Sequence, residues 1–379
     1  MTSTTVAPVN PPPSDPAPAW GQSLTHGALG PALLHLVRAR TGLGPPQAAQ
    51  AWLRAATRAP LSTHPDCTLF CGAPALAYVL HTGGIGAASL AMLDPHIDAL
   101  ARHRLTAAHA RMDRGELTTP AEYDLINGLT GIGTYLLERC PHHPRTSEVL
   151  RYLVRLTLPV AHGGRELPGW WTLASPRTPG TDFTGGHANL GIAHGIAGPL
   201  ALLARALHRG VEVVGQRDAI LRICAWMDAW ARTGGAGTTW PRWVTRTHLD
   251  HGRAEPNPMP LAWCYGVPGQ ARALQLAATA TGDRDRADAA GRALEDCARD
   301  PRIADLSASL CHGRAGLLQT LRRAATDTPA LAQFLPDLEH QVRAATAAGS
   351  GLMEGSTGAA LVLPDRAQAT RWDAFLLIT

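Results

Sequence analysis

Residues 310–321 read LCHGRAGLLQTL, and the same arrangement recurs along the chain: small or polar residues, a glycine, two residues, a second glycine or alanine, and an apolar run. Its seven copies are residues 24–36, 69–80, 125–137, 191–203, 263–274, 310–321 and 352–363. The leading glycine predicts a tight turn or a close backbone approach. An apolar run without a polar face predicts a helix buried on most sides.

Amphipathic segments rich in arginine and alanine separate these copies. They are residues 46–59, 96–116, 147–158, 217–233, 285–300 and 337–346. Charged residues in these segments fit a solvated face, so buried and amphipathic helices should alternate. The alternation predicts an all-α fold, an α/α toroid with about seven inner and seven outer helices. The glycine turns would then gather at one end of the ring, where we expect the functional site.

The domain organisation follows from composition. Residues 1–19 are rich in proline, serine and threonine and are predicted to be a disordered tail, which leaves 20–379 as the toroid domain. Two long connections, 159–189 and 234–262, are punctuated by glycine and proline, which argues against helix there. We expect loops or short β segments in both, covering the active end of the ring.

Several classes of protein are disfavoured by composition. All 34 basic residues are arginine, the net charge is only +4, and no basic block is interleaved with aromatic residues, which argues against nucleic-acid binding. No apolar run is long enough to predict a membrane span. The first residues lack the charged and apolar regions of a secretory signal, and seven cysteines is an odd number. We therefore expect a cytoplasmic protein with reduced cysteines.

Two of the repeated turns carry residues that bind metals. Cys264 and the pair Cys311–His312 occupy the same register in two successive copies. Two thiols and one imidazole suit a zinc ion with its fourth position open to water or substrate. A neighbouring Cys–His pair also arises incidentally, and it is the shared register that favours ligation. Two thiolate ligands would leave zinc a weak Lewis acid, so that a bound substrate thiol loses its proton but stays nucleophilic.

Other polar residues beside the glycine turns are candidates for acid–base chemistry. His194 suits a general acid or base, and Asp124, four residues before its own glycine, suits a group that orients it. A capping or core histidine and an N-cap aspartate are the structural alternatives. Tyr265 is either a hydrogen-bond donor to substrate or a packing residue. We interpret His26 as structural and Glu354 as a polar lining residue.

The remaining cysteines are expected to be buried thiols. They are Cys67, Cys71, Cys140, Cys224 and Cys297.

The motifs GIAHGIAGPLALL, AWCYGVPG and LCHGRAG together resemble the lanthionine synthetase C family, the lanthipeptide cyclases, and so do YDLINGLTGIG and RWDAFLLI. The resemblance covers nearly the whole chain after residue 20. It implies an α/α toroid, with a small β-rich insertion expected within 159–189. The implied zinc ligands are Cys264, Cys311 and His312, and the implied catalytic residues are His194, Asp124 and Tyr265.

The resemblance also implies a reaction and partners. Cysteine thiols of a dehydrated precursor peptide would add to dehydroalanine or dehydrobutyrine and form lanthionine or methyllanthionine rings. A dehydratase would act upstream, with a transporter as a further member of a complex. The peptide's leader region would bind outside the central pocket. Members of the family often carry an arginine shortly before WCYG. This chain has none there, so the group stabilising the enolate would be Arg242, Arg246 or Arg253 from the long connection.

Three alternative functions remain open at this point. A relative could add glutathione rather than a peptide cysteine to dehydroamino acids. A non-catalytic, zinc-stabilised scaffold could bind peptides only. A toroidal glycosidase would need a second carboxylate beside Asp124, and few acidic residues lie at the turns.

Overall fold

The computed structural model describes residues 12, 20–176, 181–235, 237–254, 259–345, 347 and 349–379. The tail expected at 1–19 lies outside this description except for Pro12. Within the described residues, no helix combines the length and the apolar character needed to cross a membrane.

The described residues form two concentric rings of helices. The inner ring consists of α1 (Leu29–Arg40), α3 (Ala73–Gly83), α6 (Leu129–Arg139), α8 (Ala197–His208), α11 (Val267–Thr281), α13 (Arg314–Ala324) and α15 (Ser356–Val362). The outer ring consists of α2 (Pro46–Ala56), α4 (Ala87–Asp113), α7 (Pro144–Leu156), α9 (Gln216–Ala229), α12 (Arg284–Arg299), α14 (Leu335–Ala344) and α16 (Asp365–Gln368). Each inner helix packs on the next, α15 packs on α1, and each outer helix packs on the inner helix before it. The predicted toroid is therefore confirmed, and its ring is closed.

Short elements complete the described structure. Helices α5 (Pro120–Tyr123) and α10 (Arg246–His251) are a single turn or slightly longer, and four 3₁₀ helices are Trp20–Gln22, Pro301–Asp305, Pro329–Phe334 and Ala374–Leu376. The strands are β1 (Val160–His162), β2 (Arg165–Leu167), β3 (His187–Asn189), β4 (Arg232–Gly234), β5 (Gly237–Thr239) and β6 (Trp243–Thr245).

Close packing explains the leading glycines of the seven turns, which we number 1 to 7 and define as residues 24–27, 69–72, 125–128, 192–195, 263–266, 310–313 and 352–355. At Gly355 the backbone is extended, with φ −105°, so no left-handed conformation is required. A Cβ atom there would lie 2.3 Å from the nitrogen and 2.7 Å from the oxygen of Gly351. Gly266 is similar, since its Cβ would lie 2.1 Å from the carbonyl oxygen of Pro260. The turn folds back on its own backbone and leaves no room for a side chain.

Backbone hydrogen bonds connect neighbouring turns around the ring. In each connected pair, the carbonyl two residues before the glycine accepts N–H groups from the adjacent turn. Among the described residues the accepting carbonyls are those of Thr25, Phe70, Ala193, Cys264, Cys311 and Met353. The bond from Leu352 to Thr25, at 2.8 Å, joins turn 7 to turn 1. We call this set of bonds the turn ladder.

Arg104, on outer helix α4, connects the segment just before turn 2 to turn 3. Its guanidinium donates to the carbonyls of Pro65 and Cys67, at 2.8 and 3.1 Å, and to that of Asn127 in turn 3. A single cation therefore satisfies carbonyls from both sides of this gap. The outer ring thus contributes to the order of the turns.

The hole of the toroid is filled by residues 372–378, which we call the central segment. All seven residues are at most 2% exposed. The segment bonds or packs against inner helices on different sides of the ring, namely α3, α6, α8, α11 and α13. Asp373 is neutralised there by Arg323 of α13 at 2.7 Å, because a buried carboxylate requires a partner.

The two long connections contain the short strands that were expected. Strand β1 pairs with β2 and β4 pairs with β5 as local hairpins, whereas β3 of the first connection pairs with β6 of the second. The expectation of no helix in 234–262 is wrong, because α10 forms there. Its N-cap Thr245 exchanges hydrogen bonds with His248 in a capping box, which compensates for the unfavourable composition around it.

We expect Gly355→Ala to destabilise the protein by about 1–3 kcal/mol, because the methyl group would meet backbone atoms that cannot rotate away. Thermal or urea unfolding measures this loss. Gly235→Ala is the matched control, since a Cβ there meets nothing within 4 Å. Both substitutions remove the same glycine freedom from the unfolded chain. Equal stability of the two variants would contradict the packing argument.

Candidate metal centre and acid–base pair

Turns 5 and 6 bring three ligand groups together. One ligand atom from each of Cys264, Cys311 and His312 lies within 4.8 Å of the others. The turn ladder produces this proximity directly, since the amide of Cys264 donates to the carbonyl of Cys311 at 3.3 Å. In turn 6, the Ser309 hydroxyl accepts the amides of Cys311 and His312, at 3.1 and 3.2 Å. The predicted ligands thus converge, and α11 and α13 begin immediately after them with their N-termini at the same end.

The protons of this cluster are shared between its members. The hydrogen bond from Cys311 lowers the pKa of the Cys264 thiol well below its usual value, against the effect of burial, and His312 adds to the lowering. The same hydrogen bond, together with burial, raises the pKa of Cys311 well above its usual value. The bond to Cys264 raises the pKa of His312. A thiolate stabilised by two donors indicates a site that accepts a cation readily, because metal ligation requires deprotonated sulfur.

The donor set fits zinc. Two sulfurs and one imidazole nitrogen at two adjacent turns supply three of four tetrahedral positions and leave one open. Glu354 of turn 7 lies 4.0 Å from Nδ1 of His312 and is about half exposed, so it lines the centre as expected.

His194 and Asp124 form a hydrogen-bonded pair on turns 3 and 4. Nδ1 of His194 lies 2.6 Å from Oδ2 of Asp124. Asp124 is fully buried, whereas 31% of the His194 side chain is exposed. Oδ1 of Asp124 also accepts the amides of Asn127 and Gly128, at 2.5 and 3.1 Å. Asp124 therefore holds the turn before α6 and contacts the imidazole at once, but the N-cap of α6 is Gly128, so Asp124 is not the N-cap residue.

Tyr265 links this pair to the metal ligands. Its ring stacks on His194 with centroids 5.8 Å apart and planes inclined by 22°. The ring centroid of Tyr265 also lies 5.9 Å from that of Trp243. Burial raises the pKa of Tyr265, and a hydrogen bond with Asn189 opposes that effect only in part. The hydroxyl therefore stays protonated at neutral pH. The Tyr265 ring therefore packs against both the imidazole and the indole.

Trp243 and Asn189 are site residues that sequence reasoning missed. They belong to β6 and β3, whose pairing joins two segments more than 50 residues apart in sequence. The sequence signal near them is GGHANLG at 185–191, at the end of a connection for which the sequence predicts loops or short β segments. Gly191 within it cannot carry a side chain, because a Cβ would lie 2.7 Å from the carbonyl oxygen of Cys264.

Of the arginines considered for the enolate, Arg242 lies against the ring of Trp243. Its Cζ is 5.8 Å from the Trp243 ring centroid. Arg246 faces Asp250 at 3.7 Å, and Arg253 is exposed.

His26 lies on turn 1, outside the group of three ligands. Cys67, Cys224 and Cys297 are buried thiols as expected, but Cys71 and Cys140 are only half buried, which corrects that expectation.

Comparisons with known proteins agree with the toroidal fold described above. Residues 18–377 match the family model described as Lanthionine synthetase C-like protein. A curated relative, Nisin biosynthesis protein NisC of Lactococcus lactis subsp. lactis, is 25% identical over 265 residues. That match covers 65% of this chain and 62% of the relative, less than two thirds of its length. A solved structure named Nisin cyclase superposes with a TM-score of 0.76 at 21% identity, covering 95% of this chain and 93% of the other, which establishes the shared fold.

We expect His187 on β3 to make the protein sensitive to mild acid. Neither ring nitrogen has a hydrogen-bond partner, and burial lowers the pKa of His187 from 6.5 to about 4. The unfolded chain therefore binds a proton before the folded chain does. Stability is fully present above pH 6.5 and falls by up to about 3 kcal/mol as the pH approaches 4.

Denaturant unfolding at several pH values measures this dependence. His187→Leu should be less sensitive to acid than the unsubstituted protein across pH 6.5 to 4, since the titrating group is gone. His162→Leu, on exposed strand β1, is the control and should keep the original dependence. An unchanged acid response in His187→Leu would contradict the assignment.

Proposed function

The chain belongs to the lanthionine synthetase C-like family, and we propose that it is a zinc-dependent lanthipeptide cyclase. Its reaction would be the addition of peptide cysteine thiols to dehydroalanine or dehydrobutyrine, giving lanthionine or methyllanthionine thioethers. One observation supports this proposal most: His194, paired with the buried Asp124, lies on the turn next to that of Cys264. Acid–base and metal-ligating groups therefore face the same end of the ring.

Cys264, Cys311 and His312 are the residues that would hold the ion. Zinc held by two thiolates and an imidazole would keep a substrate thiol deprotonated near neutral pH while leaving its sulfur nucleophilic. The chain's own contribution is to present both cysteines from adjacent turns at the N-termini of α11 and α13. The partial positive charge at these termini favours thiolates.

His194 would transfer the proton that the reaction moves. Asp124 holds Nδ1, so Nε2 is the nitrogen available to substrate, and the buried carboxylate stabilises the imidazolium form. As a neutral ring, His194 accepts the thiol proton. As an imidazolium, it returns that proton to the α-carbon.

The proposed addition is balanced without a further reactant. A sulfur lone pair forms the bond to the β-carbon, and the electron pair of the Cα–Cβ double bond moves to give an enolate. The proton held by His194 then adds to Cα. The thioether product contains every atom of the thiol and of the dehydroamino acid.

The proposed substrate is a dehydrated precursor peptide. A dehydratase must supply it, because formation of the double bond from serine or threonine is a separate reaction. A complex with that dehydratase, and with a transporter, remains part of the proposal. The half-exposed His312 and Glu354 fit access by a long chain, since they leave the active end open to solvent.

We expect Cys311→Ala to bind much less zinc than one ion per chain and to lose cyclisation of a dehydrated precursor peptide, because one of three protein ligands is missing. Metal analysis and mass spectrometry after thiol alkylation measure the two losses. Cys71→Ala is the matched control: its half-buried thiol also lies beside a turn glycine but outside the ligand group. Normal cyclisation by zinc-free Cys311→Ala would contradict the mechanism.

We expect His194→Asn to keep its zinc and to lower the cyclisation rate by roughly 10²- to 10⁴-fold, the usual effect of removing a general acid–base group. Asp124→Asn should also slow the reaction, because the imidazole loses its charged partner. His26→Asn, a histidine in the same register of turn 1, is the control and should react normally. A His194→Asn enzyme as fast as that control would overturn the acid–base assignment.

Assays with free glutathione separate the proposal from its closest alternative. A cyclase is expected to form rings within the peptide when no added thiol is present. Product that appears only with glutathione would favour the glutathione-adding relative, and zinc binding without either product would favour a scaffold.

A further inference from the structure

Turn 5 differs from the other turns in the identity of one buried residue. Three residues before the glycine, each turn carries a side chain that is at most 1% exposed. In six turns this residue is Leu24, Leu69, Leu125, Ile192, Leu310 or Leu352. In turn 5 it is Trp263, whose side chain alone among these seven can donate a hydrogen bond. Trp263 immediately precedes Cys264.

Trp263 uses that donor on the central segment. Its Nε1 donates to the carbonyl oxygen of Leu376 at 2.9 Å, and both residues are buried. The bond spans 113 residues of sequence. It joins the turn that carries Cys264 to the main chain that fills the hole of the ring.

The central segment is itself firmly held. Buried side chains donate to four alternate carbonyls: Tyr78 to Trp372, Arg205 to Ala374, Trp263 to Leu376 and Arg272 to Ile378, all at 2.8–2.9 Å. Phe375 packs edge-on between Phe70 and Tyr78, with centroids 5.8 Å from each. A segment with its carbonyls fixed from several helices is a rigid support.

We propose that the central segment positions the metal centre, and that Trp263 is the positioning residue through which it acts on Cys264. This inference rests on the proposed zinc site. The turn ladder bonds turn 5 to turn 6 through the amide of Cys264 and to turn 4 through its carbonyl. The bond from Trp263 to Leu376 fixes the same turn against the central segment. Together these contacts hold the Cys264 sulfur at one distance from Cys311 and His312.

The expected effect is on metal affinity. Groups that orient metal ligands without touching the metal typically change affinity by roughly 10- to 100-fold when removed. Losing the indole N–H also leaves the buried carbonyl of Leu376 without a donor, so turn 5 and the segment would shift to accommodate it.

The test compares Trp263→Phe with Trp372→Phe. Trp372 is fully buried in the central segment, and its Nε1 has no hydrogen-bond partner. The two substitutions therefore remove the same volume from the same core, but only the first removes a hydrogen bond. Zinc affinity is measured by chelator competition, the spectrum of the Co²⁺-substituted protein reports ligand geometry, and thermal unfolding reports stability.

We expect Trp263→Phe to bind zinc roughly 10- to 100-fold more weakly than Trp372→Phe, and to show an altered thiolate-to-cobalt spectrum. Equal affinities and identical spectra in the two variants would overturn the positioning role. If the unsubstituted protein binds no zinc at all, the proposed function itself fails. This outcome is distinct from equal zinc affinities in the two variants.

A measurement on the unsubstituted protein covers the case in which Trp263→Phe does not fold. Coupling between two sites is reciprocal, so zinc must stabilise the central segment if the segment stabilises the site. Hydrogen exchange of residues 372–378 should be slower with zinc than after chelation. Identical exchange in the two forms would overturn the inference.

Discussion

The turn ladder is the constraint on which the rest of this structure depends. Each inner helix begins at a glycine turn, and the backbone of each connected turn is hydrogen-bonded to the next. A buried N–H or carbonyl without a partner is costly, so the turns cannot separate without losing several bonds at once. The bond from turn 7 to turn 1 closes the ladder there, and among the described residues one gap remains, between turns 2 and 3. Arg104 of the outer ring spans this gap, from the segment just before turn 2 to turn 3.

The ladder also explains why chemistry concentrates at this end of the molecule. Residues in the same register of successive turns are brought within a few ångströms whatever their separation in sequence. Cys264 and Cys311, each two residues before its glycine, become neighbours in this way. Asp124 lies four residues before its glycine and His194 lies one before its own, and these two meet because the bond from Leu125 to Ala193 joins their turns. The glycines contribute because they lack a side chain, and any side chain at the leading position would hold the turn open.

The sequence predicted much of the site because its signals are local and repeated. Each candidate residue lies one or two positions before the leading glycine of its turn: Cys264, Cys311, His312 and His194. This register depends only on a motif that each copy carries by itself. Asn189 and Trp243 could not be predicted in the same way. They reach Tyr265 through pairing of β3 with β6, two three-residue strands whose own sequences do not specify a partner. Helix α10 was not predicted for a different, local reason: the capping box of Thr245 and His248 overrides the glycine-rich composition of the connection.

The amino-acid sequence by itself determined the alternation of inner and outer helices, the seven glycine turns and the shared register of three candidate metal ligands. These follow from periodicity and from the space a side chain needs, which are properties of short stretches. Only the tertiary structure decided that residues 372–378 fill the hole of the ring and that Trp263 bonds to Leu376. That contact joins positions 113 residues apart, and no local pattern carries information about which distant carbonyl a buried indole will meet.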